Sequence, residues 1–364
     1  MLSFTSSSVR RHITKCGAAV LRWLPAELAH ELTIAALRSE FGLALLPGSH
    51  IAEAVSDQLR VSVSGLGELP HPIGLAAGLD KNGVAISAWE QMGFAAVEVG
   101  TVTPLPQDGN PKPRLFRLPE RQAIINRMGF NNLGVPALIE QLGRPGALNC
   151  KIPIGINFGK NKLTPPEKAL NDYESGFCAI AARRAMRSAG EYYVINISSP
   201  NTPGLRDLAR PEFIQQLSAM AGNFRGKTWI KLDPDMERVL FQQNIEEIAK
   251  SGFGGVILSN THRVEWPEAG GLSGHGLLSH ANRSLEQAWQ VHRGQLPMIG
   301  CGGILDGADI LGKIARGASA VQIYTALIYR GPWVVMELLQ ELDAEMKLLG
   351  FKSLAEARGS HYLA

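Results

Sequence analysis

Short apolar, β-rich runs recur along the chain, and each ends in small or polar residues. They are Ile73–Ala77, Ala96–Gly100, Ile154–Phe158, Tyr193–Ile197, Trp229–Leu232, Gly255–Leu258, Met298–Gly300 and Ala320–Tyr324. Several, such as AAVEV, GVIL and AVQIY, are apolar at almost every position, which suits strands covered on both faces. The stretches between them can hold crossover helices, for example Pro211–Phe224, Met236–Lys250 and Asp306–Arg316. Eight strands alternating with helices over about 260 residues predict an α/β fold of the closed (β/α)8, or TIM-barrel, type. A doubly wound open sheet is the alternative arrangement of the same elements. The interval between the second and third strands is long, and TPLPQDGNPKPRLFRL and INRMGFNNLG fill it. Loops of that length usually carry function or close over a site.

Ahead of the strands the pattern changes. Residues 1–26 carry Arg10, Arg11, Lys15 and Arg22 and no acidic residue, and two helix-like segments meet at Pro25. In the second, Leu28, Leu32, Ala35 and Ala36 share one face. Charges at Arg22, Glu27, Glu31 and Arg38 interrupt any window of about 20 residues, so neither segment is expected to span a bilayer. The apolar stretch is also short for a signal peptide and lacks a clear cleavage site. Two readings stay open: a helical hairpin packed on the domain, or an amphipathic pair lying in a membrane surface. The expected division is an extension over residues 1–45 and a catalytic domain over 46–364.

Composition narrows the function. With 45% hydrophobic and 19% charged residues the chain can bury a large core. A net charge of +3, without a basic stripe, gives no expectation of a nucleic-acid partner. Cysteines 16, 150, 178 and 301 are scattered with no metal-ligand spacing, so reduced thiols and no metal are expected.

A barrel places its active site at the carboxyl ends of its strands. The unusual residues fall there: AAGLDKNG, GTVTP, NFGKN, NISSPN, the lysine of IKLDPD, SNT, GCGGI and YTAL. The glycines of GCGGI, after the seventh strand, let backbone N–H groups approach a phosphate. Without a Walker loop or a GxGxxG unit, a phosphate-bearing cofactor such as FMN, lying across the barrel mouth, is the natural candidate. Lys81 and Lys231 at strand ends would need a compensating anion, either a ligand or a neighbouring acid such as Asp80. Asparagines 126, 157, 196, 201 and 260 suit a flat ligand with alternating N–H and C=O groups. The serines of INISSPNTPGLR have no histidine nearby in sequence, so a hydrolase triad does not suggest itself.

GLAAGLDKNG, EVGTVTP, PRLFRL, INRMGFNNLG, INISSPNTPGLR, SNT and VQIYTAL resemble the quinone-dependent (class 2) dihydroorotate dehydrogenases, and the likeness runs from AHELT to GFKSLAEARG. The resemblance implies a barrel with FMN at its mouth that oxidises dihydroorotate to orotate in pyrimidine synthesis and passes electrons to a membrane quinone. Ser199 matches the serine that takes the C5 proton while hydride moves from C6 to the flavin, with Thr202 assisting through a water. Class 1 relatives carry cysteine at that position. Lys81, Asn126, Asn196, Asn201, Asn260 and Thr261 match substrate-holding positions, with Arg127, Met128, Gly129 and Phe130 lining the same pocket. FMN positions match Ala77, Gly78, Leu79, Asp80, Lys81, Thr101, Asn157, Asn196, Lys231, Ser259, Gly274, Gly303, Tyr324 and Thr325.

The same resemblance implies a two-helix extension that sits on the membrane and forms a quinone tunnel, with His30 and Arg117 near its end. It points to a monomer on the cytoplasmic side of a bacterial inner membrane; a mitochondrial inner membrane is the alternative. The chain departs from the family pattern in three places. Ser259 replaces threonine, His275 and Gly276 replace a basic residue and proline, and Cys301 replaces a small aliphatic residue.

Overall fold

The computed structural model describes residues 7–49, 56–183, 190–202 and 204–363. Its centre is a closed barrel of eight parallel strands: β1 (Ile73–Leu75), β2 (Ala96–Val102), β3 (Ile154–Phe158), β4 (Glu191–Asn196), β5 (Thr228–Leu232), β6 (Gly255–Leu258), β7 (Met298–Cys301) and β8 (Ala320–Ile323). Each strand pairs with its sequence neighbours, and β8 closes onto β1 through Val321↔Ile73. The open-sheet alternative is thereby excluded. The bounds shift slightly from those predicted, most at β4, whose pairing ends at Asn196. Ile197 and the serines that follow already belong to the loop.

Strand alternation divides the core in two. Outward residues such as Val97, Val99, Ile154, Ile156 and Ile195 pack under the surrounding helices. Inward residues Tyr192, Val194, Trp229, Ile257 and Ile299 fill the barrel. A hairpin of Val61–Val63 and Gly67–Leu69 contributes Val63 and Leu69 to the inner group. Two bulky rings fit inside because glycine faces them. A Cβ on Gly155 would lie 2.3 Å from Tyr192, and one on Gly255 would lie 2.3 Å from Trp229.

The long interval after β2 is more than a loop. Leu115–Leu118 and Ala123–Asn126 form an antiparallel hairpin, joined by Gly270–Gly274 and His262–Val264 into a four-stranded sheet. Proline, glycine and polar residues around PRLFRL hid strands of only four residues each. Helices α1 (Ser7–Leu21) and α2 (Ala26–Leu37) stand before the barrel. No helix among the described residues is long and apolar enough to cross a membrane.

Candidate active site

The barrel mouth opens into a cavity lined by residues of seven of the eight strands or the loops that follow them, and by the four-stranded sheet. Its wall includes Ala77, Gly78, Lys81, Thr101, Asn196, Ser199, Lys231, Ser259, Asn260, Thr261, Gly303, Tyr324 and Thr325. The sheet adds Asn126 and Gly274, and the turn beyond Asn126 adds Met128, Gly129 and Phe130. Residues far apart in sequence therefore converge on one cavity.

Four expected residues do not line it. Leu79 is buried in the barrel wall. Asp80 accepts from the N–H groups of Val84 and Ala85 and from Trp89 Nε1, so its carboxylate organises the turn after β1. Asn157 lies one layer deeper, donating to Glu98 at 2.7 Å while its carbonyl accepts from Thr101 at 2.5 Å. Arg127 pairs with Glu268 at 2.8 Å and stacks on Phe116 in a neighbouring surface depression.

Asparagine amides form a linked set on the β4 side. Asn196 donates to Thr101 at 3.0 Å, and its carbonyl accepts from the Ser198 hydroxyl at 2.9 Å. Asn260 donates to Ser198 at 2.9 Å, and Asn201 donates to Asn126 Oδ1 at 3.3 Å. These bonds fix which amide edge each asparagine turns to the cavity. Ser199 is 6% exposed on this wall, and its oxygen accepts from the Asn201 N–H at 3.3 Å. Three residues on, the buried Thr202 hydroxyl has no hydrogen-bond partner among the described residues.

The two lysines differ. Lys231 faces Glu98, with Nζ–Oε1 at 3.8 Å, and Glu98 also accepts from Gln322 at 2.6 Å. In the sequence Glu98 is marked only as the acid inside the apolar run AAVEV. Lys81 has no hydrogen bond or ion pair among the described residues and faces the cavity. Burial, then the nearby Arg114 cation, lowers its pKa to about 8. An ammonium held in this way is stabilised by an anion that enters the cavity.

On the β7 side, Gly302 and Gly303 adopt φ of 104° and 84°. A Cβ on Gly303 would sit 2.3 Å from Leu278 Cα, so only glycine fits between the cavity and the helix behind it. Bare backbone here, with Ser273 and Thr325 hydroxyls bonded to each other at 2.9 Å, is the donor set that a phosphate requires. Tyr324, its phenol raised to about 12 by burial, and the positive-φ Gly78 complete a flat-sided slot. The residues present fit a flavin mononucleotide. The substituted positions keep the slot: Ser259 and Cys301 line it, and burial raises the Cys301 thiol.

Arg206, the last residue of INISSPNTPGLR, knits the rim. It pairs with Asp233 at 2.6 Å and Asp235 at 3.3 Å and donates to the carbonyls of Ser198 and Thr261. The loops after β4, β5 and β6 are thus joined by one guanidinium.

The helical extension meets the same mouth. His30 on α2 is partly buried, and burial together with Lys81 lowers its pKa to about 4, so the ring is neutral at pH 7. Three cations around the added hairpin hold the helices. Lys112 pairs with Glu31 at 3.1 Å, Arg114 pairs with Glu27 at 2.7 Å, and Arg117 donates to the carbonyls of Leu21 and Leu24. Arg117 therefore satisfies the carboxyl end of α1. Val20, Trp23, Leu28, Leu32 and Phe41 are exposed, Trp23 at 91%.

The dihydroorotate dehydrogenase family profile matches residues 58–346. A protein named dihydroorotate dehydrogenase (quinone) from Gloeobacter violaceus is 43% identical over 83% of this chain and 85% of its own length. One of the same name from Myxococcus xanthus is 40% identical over 94% of this chain and 96% of its own. A crystal structure of Eimeria tenella DHODH in complex with ferulenol superimposes with a TM-score of 0.82 at 32% identity, covering 92% of this chain and 95% of that one. With its barrel, its mouth cavity and these relatives taken together, the chain belongs to the dihydroorotate dehydrogenase family.

Proposed function

We propose that this enzyme oxidises dihydroorotate to orotate at the barrel mouth and passes the electrons through FMN to a membrane quinone. The observation that carries the reading is the pairing of a buried serine with an unpaired lysine on one cavity: Ser199 beside Asn201, and Lys81 facing the same space. FMN, when bound, accepts a hydride equivalent from the substrate and returns it as electrons to the acceptor.

The chain's own residues have separable tasks. Lys81 binds the substrate carboxylate by charge, and Asn126, Asn196, Asn201 and Asn260 match the N–H and C=O groups of its ring. Ser199 Oγ takes the C5 proton. A hydroxyl is a weak base and must hand that proton on, and the unpartnered Thr202 hydroxyl is placed on the same loop to receive it through water. Lys231, with Glu98 behind it, presents positive charge to the flavin slot and stabilises negative charge there. The exposed apolar face of α1 and α2 lies on the membrane surface, and the quinone enters beside α2 near His30.

Anaerobic dihydroorotate should bleach the flavin absorbance, and a ubiquinone analogue should restore it. Restoration by fumarate or NAD and none by quinone would overturn the acceptor assignment. Orotate affinity should also carry the mark of Lys81. The anion binds the protonated amine, whose pKa is about 8 before binding and rises when paired. Affinity is then flat below about pH 7 and falls up to about tenfold per pH unit above pH 8. Orotate titrations from pH 6 to 9 with Lys81→Met as control test this; a flat profile in the parent protein would remove Lys81 from carboxylate binding.

A further inference from the structure

Outside the cavity, three ligand-type side chains from three different elements converge at the rim. Asp235 follows β5, His262 opens the strand His262–Val264, and His280 lies in the first turn of the helix Leu278–His292. One ligand atom from each falls within 4.8 Å of the other two. His262 Nδ1 is 2.5 Å from Asp235 Oδ1, and the two imidazoles stack with centroids 3.9 Å apart and planes 22° apart. Neighbours already orient the carboxylate, since Asp235 Oδ2 accepts from the Arg263 N–H at 2.7 Å and from Arg206 at 3.3 Å. Two imidazoles and one carboxylate form a borderline donor set preferred by zinc and its neighbours over calcium or magnesium. The side chains of Asp235 and His262 are 19% and 27% exposed, so an ion has a path in and room for a water as fourth ligand.

We propose that Asp235, His262 and His280 form a binding site for a divalent transition-metal ion of the zinc class. Binding needs no backbone rearrangement on the scale of an element. The Asp235–His262 hydrogen bond opens, and the stacked rings tilt until their nitrogens point at one ion about 2.0–2.1 Å away. The ion then pins the sheet strand that directly follows Asn260 and Thr261 to the helix behind Gly303 and to the loop after β5. Linear order does not mark this site, because the three residues are separated by 27 and 18 positions and share no ligand motif.

The test is calorimetric titration of the flavin-loaded full chain with Zn²⁺, in a Cys16→Ser background. That background removes a competing exposed pair, since Cys16 Sγ lies 3.6 Å from His12 Nε2. One ion should bind with micromolar or tighter affinity, and His262→Gln and His280→Gln should each weaken it by about tenfold or more. Zinc should raise the thermal midpoint of the parent and leave the double variant's unchanged. No binding in the parent, or undiminished binding in the double variant, overturns the site. Diffraction at the zinc edge gives a reading independent of how the variants fold: an anomalous peak among these three side chains supports it, and a peak elsewhere alone refutes it.

Discussion

Replacing Ser199 by alanine should leave FMN bound and slow its reduction by dihydroorotate by about a hundred- to ten-thousand-fold, the contribution expected of a positioned general base. Ser199 is buried on the cavity wall, and the one bond among the described residues that its oxygen accepts is a long one, from the Asn201 N–H at 3.3 Å. The loop keeps its shape through Arg206 and the Ser198–Asn196–Asn260 bonds, none of which uses the Ser199 hydroxyl. The defect should therefore appear in the anaerobic reduction rate while orotate affinity and quinone reoxidation stay near normal. Ser199→Cys keeps a proton acceptor at the same place and should retain more activity than alanine. Near-normal reduction in the alanine variant would mean that another group takes the proton.

Deleting residues 1 to about 40 should divide the two half-reactions. Reduction by dihydroorotate depends on the barrel mouth and should survive; reoxidation by a long-chain quinone should fall steeply. The helices hold the domain by polar contacts, Glu27 to Arg114, Glu31 to Lys112, Arg11 to Glu337 and the Leu21 carbonyl to Arg117, and by a small apolar contact through Leu37 of α2. No residue of α1 is fully buried. Stopped-flow measurement of each half-reaction, with decylubiquinone and a water-soluble acceptor compared, makes the distinction. Equal loss in both halves would show that the extension stabilises the barrel.

The barrel was legible because its strands are buried on both faces and punctuated by polar rim residues, a pattern that needs no tertiary information. The added sheet was not, since Leu115–Leu118 and Ala123–Asn126 are four residues long and gain their identity by pairing with Gly270–Gly274. Most cavity residues were found through motif likeness. Glu98 was missed because an acid in an apolar strand reveals its partners, Lys231, Asn157 and Gln322, only when the barrel closes. Asp80 matches a cofactor-contacting position only through the family resemblance, and its carboxylate accepts from the turn after β1. Neighbouring residues on a rim loop alternate between ligand and scaffold, and sequence alone does not say which is which.

The hairpin between β2 and β3 belongs to two structures at once. Leu115, Ile124 and Asn126 look into the mouth cavity, while Arg114 and Arg117, on and beside the same strands, grip α2 and α1. Helices exchanged from a relative would meet this enzyme's own arginines, and a hairpin exchanged to suit them would carry new walls into the cavity. Under the proposed function, acceptor preference and substrate fit would then not be independent modules in this chain. A chimera intended to change the quinone it uses should carry the hairpin together with the helices, and should be assayed for orotate binding as well.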